Sequence, residues 1–395
     1  TFSIPFAYGL GALMTGKLDT EWIQVTRFWT VVSWLFLSLG LILGGAWAYQ
    51  ELGWGGYWMW DPVENAGLIP WFTSTAFLHS VMIQERRGML RRWNAVLVCL
   101  TFLLTIFGTF LTRSQLIVSI HAFADSTLSD YFLWLMLFLV ALSAALIAWR
   151  WKELRSENNI ESFWSRESFF VLNNVLLVGC AFIVLWGTLF PKISELSSFR
   201  QGFNALVLAY NGSLGILLGP LDTLQQAVDL GEPWFNRVMA PLGMGLLFLT
   251  GAGPIIAWRR ATRANFRKNF VQPLAWGILP AILTSGWVGH QRALNLQYHG
   301  TEAGEAWSTV FSAVGSAEFY ITLSFYFCFF SLISIGLEFS RGAAIRRSKF
   351  GGSRLWSWIV LTLKARRRFG GYIVHIGIIL CFLAFTGNAF KEDVS

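Results

Sequence analysis

Three of the five histidines stand where an imidazole can bind a metal ion as well as pack. His79 and His375 each fall inside an apolar stretch, His79 six residues before Glu85 and His375 seven residues after Arg368. At 1.5 Å per residue each lies roughly 10 Å inside the charged boundary of its stretch. Two imidazoles at one depth on two helices can clamp one planar ligand, the arrangement of a haem iron held by two axial histidines in a bundle. The plainer reading of each is a hydrogen-bonded polar residue between helices. His121 stands in a polar segment, Ser119-Ile120-His121-Ala122-Phe123-Ala124-Asp125, beyond the end of another apolar stretch. It cannot join the buried pair. It suits ligation of a second haem iron at the opposite surface, or else is an ordinary loop imidazole. Arg113, eight residues earlier, is a candidate partner for a haem propionate, which guanidinium geometry suits, or a side chain that reaches to the interface. His290 and His299 have no motif around them and are read as loop residues.

A second constellation occupies residues 49–71. The chain reads Tyr49-Gln50-Glu51-Leu52-Gly53-Trp54-Gly55-Gly56-Tyr57-Trp58-Met59-Trp60-Asp61-Pro62-Val63-Glu64-Asn65 and runs on to Pro70-Trp71. Indoles favour the membrane interface, which accounts for one or two tryptophans. It does not account for Trp54, Trp58, Trp60 and Trp71 grouped with Gly53, Gly55 and Gly56. Glycine lets aromatic planes approach closely, and Pro62 fixes the chain direction after Asp61. A wall of flat apolar faces with a wet edge suits a large planar hydrophobic ligand such as a porphyrin. Asp61 and Glu64 are read as helix caps, because the order Asp-Pro-x-Glu fits a helix start whose free N–H groups need acceptors. Direct catalysis is the other reading of the two carboxylates.

The elements that position these residues must be membrane helices. With 395 residues, 55% of them hydrophobic, 21 Trp, 35 Phe and only 13% charged, the chain has too little polar surface to cover a water-soluble fold of this size. Nine apolar stretches, roughly 28–48, 66–83, 94–112, 131–149, 168–190, 237–258, 270–289, 318–340 and 370–389, match the ~20 residues a helix needs to cross a hydrocarbon core. The expected fold is an all-α polytopic integral membrane protein of about nine full spans with a Trp-rich loop at its outer side. Residues 4–15 are apolar but too short to span, with no signal-peptide pattern before them. They read as the end of a truncated helix. The chain stops at Lys391-Glu392-Asp393-Val394-Ser395, just after a span, so both ends read as cut.

Placing loops 16–27, 84–93, 150–167, 259–269 and 341–368 on one side gathers 24 of the 30 Lys and Arg residues there, while the opposite loops hold six against 14 Asp and Glu. Basic loops stay cytoplasmic, which puts 49–71 and His121 on the outer side. The net charge of +8 is then a topology signal, and no nucleic-acid partner is expected: such a footprint needs a basic face with exposed polar readers, whereas Arg86-Arg87 and Arg91-Arg92 stand where helices leave the membrane. Cys99, Cys180, Cys328 and Cys381 lie inside spans without paired spacing and read as small apolar packers. No linker, repeat or low-complexity tract divides the chain, so residues 1–395 read as one membrane domain. Within it, 191–236 forms a long outer-side loop whose apolar part, 204–218, is expected to lie in the interface or re-enter it.

The segment Trp54-Gly55-Gly56-Tyr57-Trp58-Met59-Trp60-Asp61-Pro62-Val63-Glu64-Asn65 resembles the tryptophan-rich WWD signature of haem-handling proteins, in the version of the CcmF-type cytochrome c haem lyases. His79-Ser80, Gly108-Thr109-Phe110-Leu111-Thr112-Arg113-Ser114, Ser119-Ile120-His121-Ala122-Phe123-Ala124, Trp164-Ser165-Arg166-Glu167-Ser168, Asn173-Asn174, Gly231-Glu232-Pro233-Trp234-Phe235-Asn236 and His375-Ile376-Gly377 are similar to that family in the same order. The likeness covers nearly the whole chain. Tyr57 and Met59 replace more usual aromatics, Gln115 stands where glycine is typical, and 192–230 is expanded. The family's upstream helices, with a second outer histidine, and its C-terminal outer domain have no counterpart in the sequence.

The resemblance implies a component of cytochrome c maturation that accepts haem from the haem chaperone CcmE at the outer WWD loop and attaches it to Cys-x-x-Cys-His of an apocytochrome c. It further implies that His79 and His375 hold a haem b that passes electrons to the incoming haem, and that His121 ligates the incoming haem, which is substrate. Trp54, Gly55, Gly56, Tyr57, Trp58, Trp60, Asp61, Pro62 and Glu64 are the expected haem-contact loop. Lyase subunits of the CcmH and CcmI type and membrane lipid are expected partners, and quinol is a candidate electron donor. The expected location is the bacterial inner membrane with the loop and His121 facing the periplasm, and the mitochondrial inner membrane is the second choice. Two other functions are weighed: a transmembrane haem exporter, which needs polar residues at intermediate depths between His79 and His121, and a quinol-linked membrane cytochrome b, which needs no WWD loop.

Overall fold

Apolar stretches of this length fold as helices because lipid offers no partner for a backbone N–H or C=O, so each segment must satisfy its own. The computed structural model describes residues 2–51, 56–114, 116–117, 128–213, 220–256, 263–298 and 317–387. Among them are twelve helices: α1 (Ser3–Thr15), α2 (Thr20–Glu51), α3 (Pro62–Arg87), α4 (Arg91–Ser114), α5 (Leu128–Trp149), α6 (Arg166–Glu195), α7 (Ser197–Asn211), α8 (Glu232–Ile255), α9 (Arg263–Tyr298), α10 (Ala317–Phe350), α11 (Arg354–Lys364) and α12 (Arg366–Gly387). Eight of the described helices are long and apolar enough to cross a membrane, and they coincide with eight of the nine expected spans. The ninth, 270–289, lies within α9, a helix that carries Pro273 and Pro280.

The chain forms two compact units, residues 1–159 with 171–239 and residues 160–170 with 240–395. It passes from one to the other between Asn159 and Ile160 and again inside α6 and α8, so two of the three crossings fall within helices that no linker composition marks.

In the first unit, α1 is buried through Phe6, Ala12 and Leu13, and Gly9 lets it approach α4, since a Cβ there would lie 3.0 Å from Val98 Cγ1. Phe6 stacks on Phe102 with ring centroids 4.5 Å apart. Polar side chains stitch the helices. Trp34 Nε1 donates to Thr75 Oγ1 at 2.8 Å and Trp71 Nε1 to Ser38 Oγ at 2.8 Å, with the two indoles stacked between α2 and α3. Between α3 and α4, Thr101 Oγ1 donates to Thr73 Oγ1 at 2.9 Å, Ser80 to Asn94, and Asn94 Nδ2 to Gln84 Oε1 at 2.7 Å. Apolar attraction between helices is weak in lipid, so such bonds and close packing set the pairing. Gly88 ends α3 in the left-handed region at φ 62° with its N–H bonded to Gln84 O. The basic turn after it is engaged with 150–158: Arg91 pairs with Glu157, Asn158 Nδ2 donates to Arg87 O at 2.7 Å, and the Arg92 guanidinium lies 4.3 Å over Trp151.

The expected long loop 191–236 is partly helical. Helix α6 continues through Pro191 to Glu195 and α7 follows, its 15 residues too few to span. It buries Val207 and exposes Leu206 and Leu208. Its polar side chains, with Ser194 at the end of α6, grip the returning chain, which has no regular structure over 220–231. Asn211 accepts from Leu221 N and donates to Leu221 O, both at 2.8 Å; Asn204 does the same with Leu224 at 2.7 and 3.0 Å; Ser194 Oγ accepts from Val228 N at 3.0 Å.

In the second unit, Leu247 of α8, Cys328 and Ile335 of α10 and Phe369, Tyr372 and Ile379 of α12 form one buried cluster. Ser331 Oγ donates to Leu247 O at 3.0 Å, and Ser324 and Thr386 share a 2.7 Å hydroxyl bond. Glu338, 5% exposed, lies between Arg341 and Arg368. All four cysteines are free thiols, three of them buried, as apolar packers should be. The segment 341–368, expected as a loop, is mostly helical: α10 runs on to Phe350, Gly351 and Gly352 turn the chain at positive φ, and Ser353 caps α11 by accepting from Trp356 N. Its nine Lys and Arg residues hid an amphipathic period in Leu355, Trp356, Trp358, Ile359 and Leu363.

Candidate functional site

The described part of the Trp-rich loop begins at Gly56; Trp54 and Gly55 lie outside the described residues. Gly56 takes φ 67°, a turn that a side chain would resist. Tyr57 then runs back against α2, where a Cβ at Gly45 would stand only 2.7 Å from Tyr57 O, and its ring stacks on Tyr49 at 4.1 Å and 6°. The loop ends in a capping box. Asp61 accepts from Val63 N at 3.0 Å, Pro62 occupies the first helical turn, and Glu64 Oε2 accepts from Asp61 N at 3.2 Å and Met59 N at 2.9 Å. Both carboxylates thus hold the loop to the helix start, as the order Asp-Pro-x-Glu predicts. Asparagine caps as well as aspartate, and glutamine replaces glutamate in the box. Asp61→Asn and Glu64→Gln should therefore leave thermal stability in detergent within a degree or two, whereas Asp61→Ala should cost about 1 kcal/mol; loss of function in Asp61→Asn with unchanged unfolding would restore the catalytic reading of Asp61.

Trp60 is the best held of the tryptophans. Its backbone has φ 59°, unusual for a residue with a bulky side chain. Its carbonyl accepts from Asn65 Nδ2 at 2.9 Å, and the same amide reaches Thr188 Oγ1 of α6 at 3.0 Å. The indole lies parallel to Phe235 of α8, 4.9 Å between centroids and 7° between planes, with Trp58 edge-on at 6.0 Å and 86°. Trp60 Nε1 donates to Asn236 Oδ1 at 2.9 Å. The indole N–H of Trp58 is buried and meets no acceptor among the described residues. Trp71 belongs elsewhere: it packs between α2 and α3 and does not extend the aromatic wall. Asn65, Phe235 and Asn236 are the additions that the residue types alone did not assign. The motif at 231–236 was visible as a motif, but its contact with Trp60, 176 positions away, was not.

The end of α4 lies beside this loop. Leu111 and Ile117 pack with Ala66 in the first turns of α3, and a Cβ at Gly108 would lie 3.1 Å from Ala66 Cβ. Arg113, half-buried in the last turn of α4, is thus at the same end of the unit as residues 56–61, and so is Ile117. His121 and His299 lie outside the described residues, and His290 falls in α9.

His79 sits in α3 with Nδ1 2.8 Å from Thr75 O. A carbonyl can only accept, so Nδ1 carries the proton and the lone pair is on Nε2, the tautomer used by metal-ligating histidines whose other nitrogen is tied to the backbone. His375 is half-buried on α12, next to Ile376, which packs on the cluster around Tyr372 and Ile379. The two histidines belong to different units.

Comparison with known proteins agrees with the motifs. Residues 2–119 match a family model described as Cytochrome C assembly protein. The chain is 39% identical over 288 residues to the cytochrome c-type biogenesis protein CcmF of Haemophilus influenzae and 38% identical over 271 residues to that of Escherichia coli, alignments that take in 71% and 68% of this chain and 40% and 38% of theirs. Among solved structures it is similar to Cytochrome c Heme Lyase CcmF, with a TM-score of 0.64, 29% identity, and coverage of 99% of this chain and 49% of that one. The chain therefore spans about two fifths of the length of these curated relatives.

Proposed function

Because the chain belongs to the CcmF-type family of cytochrome c biogenesis proteins, we propose that it is the haem-handling membrane core of a cytochrome c haem lyase. Haem delivered by the chaperone CcmE docks as substrate on the outer-side loop 54–64, with His121 as an axial ligand and Arg113 as propionate partner. The observation that carries this reading is the held aromatic platform: Tyr57, Trp58 and Trp60 are fixed by a capped helix start, a tyrosine stack and Phe235, and the Arg113 end of α4 lies beside it. A propionate would also give the buried Trp58 N–H an acceptor.

Attachment needs no catalytic acid from the loop. Each thiol of the apocytochrome Cys-x-x-Cys-His adds across a haem vinyl group: sulfur bonds to one vinyl carbon, the thiol proton goes to the other, and the C=C double bond becomes single. Nothing is oxidised or reduced in that addition, and the protein's part is to orient the ring and hold its iron. His79 and His375 would hold a resident haem b, a role that the tautomer of His79, with its lone pair on Nε2, supports; a haem b held there would supply electrons to keep the incoming iron reduced. CcmH- and CcmI-type subunits are the proposed lyase partners, quinol the electron donor, and the bacterial inner membrane with the loop in the periplasm the setting.

The test is haem-stained cytochrome c in cells that depend on the whole protein. Trp58→Leu with Trp60→Leu should lower the yield by about tenfold at unchanged membrane level, the scale of two lost aromatic contacts. Undiminished cytochrome in that double variant would reject the platform.

A further inference from the structure

Of the motif Gly231-Glu232-Pro233-Trp234-Phe235-Asn236 only Phe235 enters the reading above, yet Asn236 also meets the loop, 176 positions from Trp60. We propose that Asn236, with Glu232 behind it and Phe235 beside it, is a positioning residue for haem: it fixes the plane of the Trp60 indole against which the substrate docks. The inference rests on the proposed outer haem site.

An asparagine amide can face either way, and here its orientation is set. Asn236 Nδ2 donates to Glu232 Oε1 at 3.1 Å, one helical turn earlier, which leaves Oδ1 to accept the Trp60 indole N–H at 2.9 Å. The Phe235 ring parallel to the indole at 4.9 Å blocks rotation toward α8. Phe235 in turn is 2% exposed and fits only because α6 carries glycine at 187, where a Cβ would lie 2.6 Å from the Phe235 ring and 2.7 Å from Trp234. The next residue, Thr188, holds Asn65, which holds the Trp60 carbonyl. Both ends of a residue with positive φ are therefore fixed from α3, α6 and α8 together. Strain of this kind persists only where the surroundings over-determine it, and it gathers at ligand sites. A packing tryptophan would need the stack; it would not need an oriented amide with its own carboxylate partner.

The experiment uses the whole protein in its membrane and compares Asn236→Leu, Asn236→Asp, and Asn236→Asp combined with Glu232→Gln. The leucine variant loses the acceptor, and the single aspartate variant sets two carboxylates together. The double variant restores the chain, because the exchanged amide at 232 can donate to the exchanged carboxylate at 236. Haem captured at the outer site, read from its visible band after delivery by the chaperone, should fall about fivefold to tenfold in the leucine variant, the effect of one hydrogen bond, and recover in the double variant, with the haem b band and membrane level constant. Haem capture within twofold of wild type in Asn236→Leu, or no recovery in the double variant, overturns the proposal. If the wild-type protein captures no outer haem, the haem-site reading is what has failed. The positioning claim is then judged on the ¹⁵N-labelled Trp60 indole, assigned with Trp60→Phe: its N–H exchange must speed up in Asn236→Leu and return in the double variant, and unchanged exchange overturns it.

Discussion

Replacing His121 with alanine in the whole protein should reduce holocytochrome c by at least about 100-fold while leaving the haem b spectrum intact. Loss of a group that merely orients a metal ligand costs about 10- to 100-fold, and loss of the ligand itself should cost no less. The selectivity follows from placement. His121 follows α4 in the sequence, and the end of α4 packs at the start of α3 beside the aromatic platform. His79 lies deep in α3 and His375 in α12, so the substitution leaves both untouched. Haem staining of membranes measures the first effect and a reduced-minus-oxidised spectrum the second. An unchanged cytochrome yield would remove His121 from the ligand set, and simultaneous loss of haem b would mean that the substitution acts through the fold.

His79→Ala and His375→Ala should each remove the low-spin haem b signal from the detergent-purified protein. A low-spin haem needs both axial nitrogens, so either single change should be as damaging as the other. His79 carries an added constraint: its Nδ1–H is held by the carbonyl of Thr75 one turn earlier, so the imidazole reaches any ligand through Nε2 only. Free imidazole in the buffer should restore the low-spin band in both variants, which separates a missing ligand from a misfolded chain. A band indifferent to both substitutions would return the two histidines to hydrogen bonding between helices.

How much of this was visible in the sequence differs by the range of the interaction. The start of α3 was legible because capping is local: Asp61, Pro62 and Glu64 lie within four residues and act on N–H groups within the same turn. Eight spans were legible because lipid imposes one length and one composition. Helices α7 and α11 were not, since at 15 and 11 residues both are too short to span, and reading by span length passes over them however amphipathic they are. The partners of Trp60 were not legible either. Phe235 and Asn236 come from beyond α6 and α7, and only the packing permitted by Gly187 brings them to the loop. Trp71 shows the opposite error. Proximity in sequence grouped it with the loop, whereas the helical turn carries it to Ser38.

The grip of α7 on the chain that returns beside it also sets an order of events during synthesis. Three attachments, two from α7 and one from the end of α6, join residues 10, 20 and 34 positions apart, at Asn211 with Leu221, Asn204 with Leu224 and Ser194 with Val228. Closing a loop costs more as it lengthens, though only slowly. The shortest is the first that can shut, and each closure leaves only a few new residues to fix for the next. The assembly can therefore draw shut progressively like a fastener, beginning as soon as Leu221 has been made. All of its parts precede α9, α10 and α12 in the chain, so this surface structure can mature while those later helices are still being made.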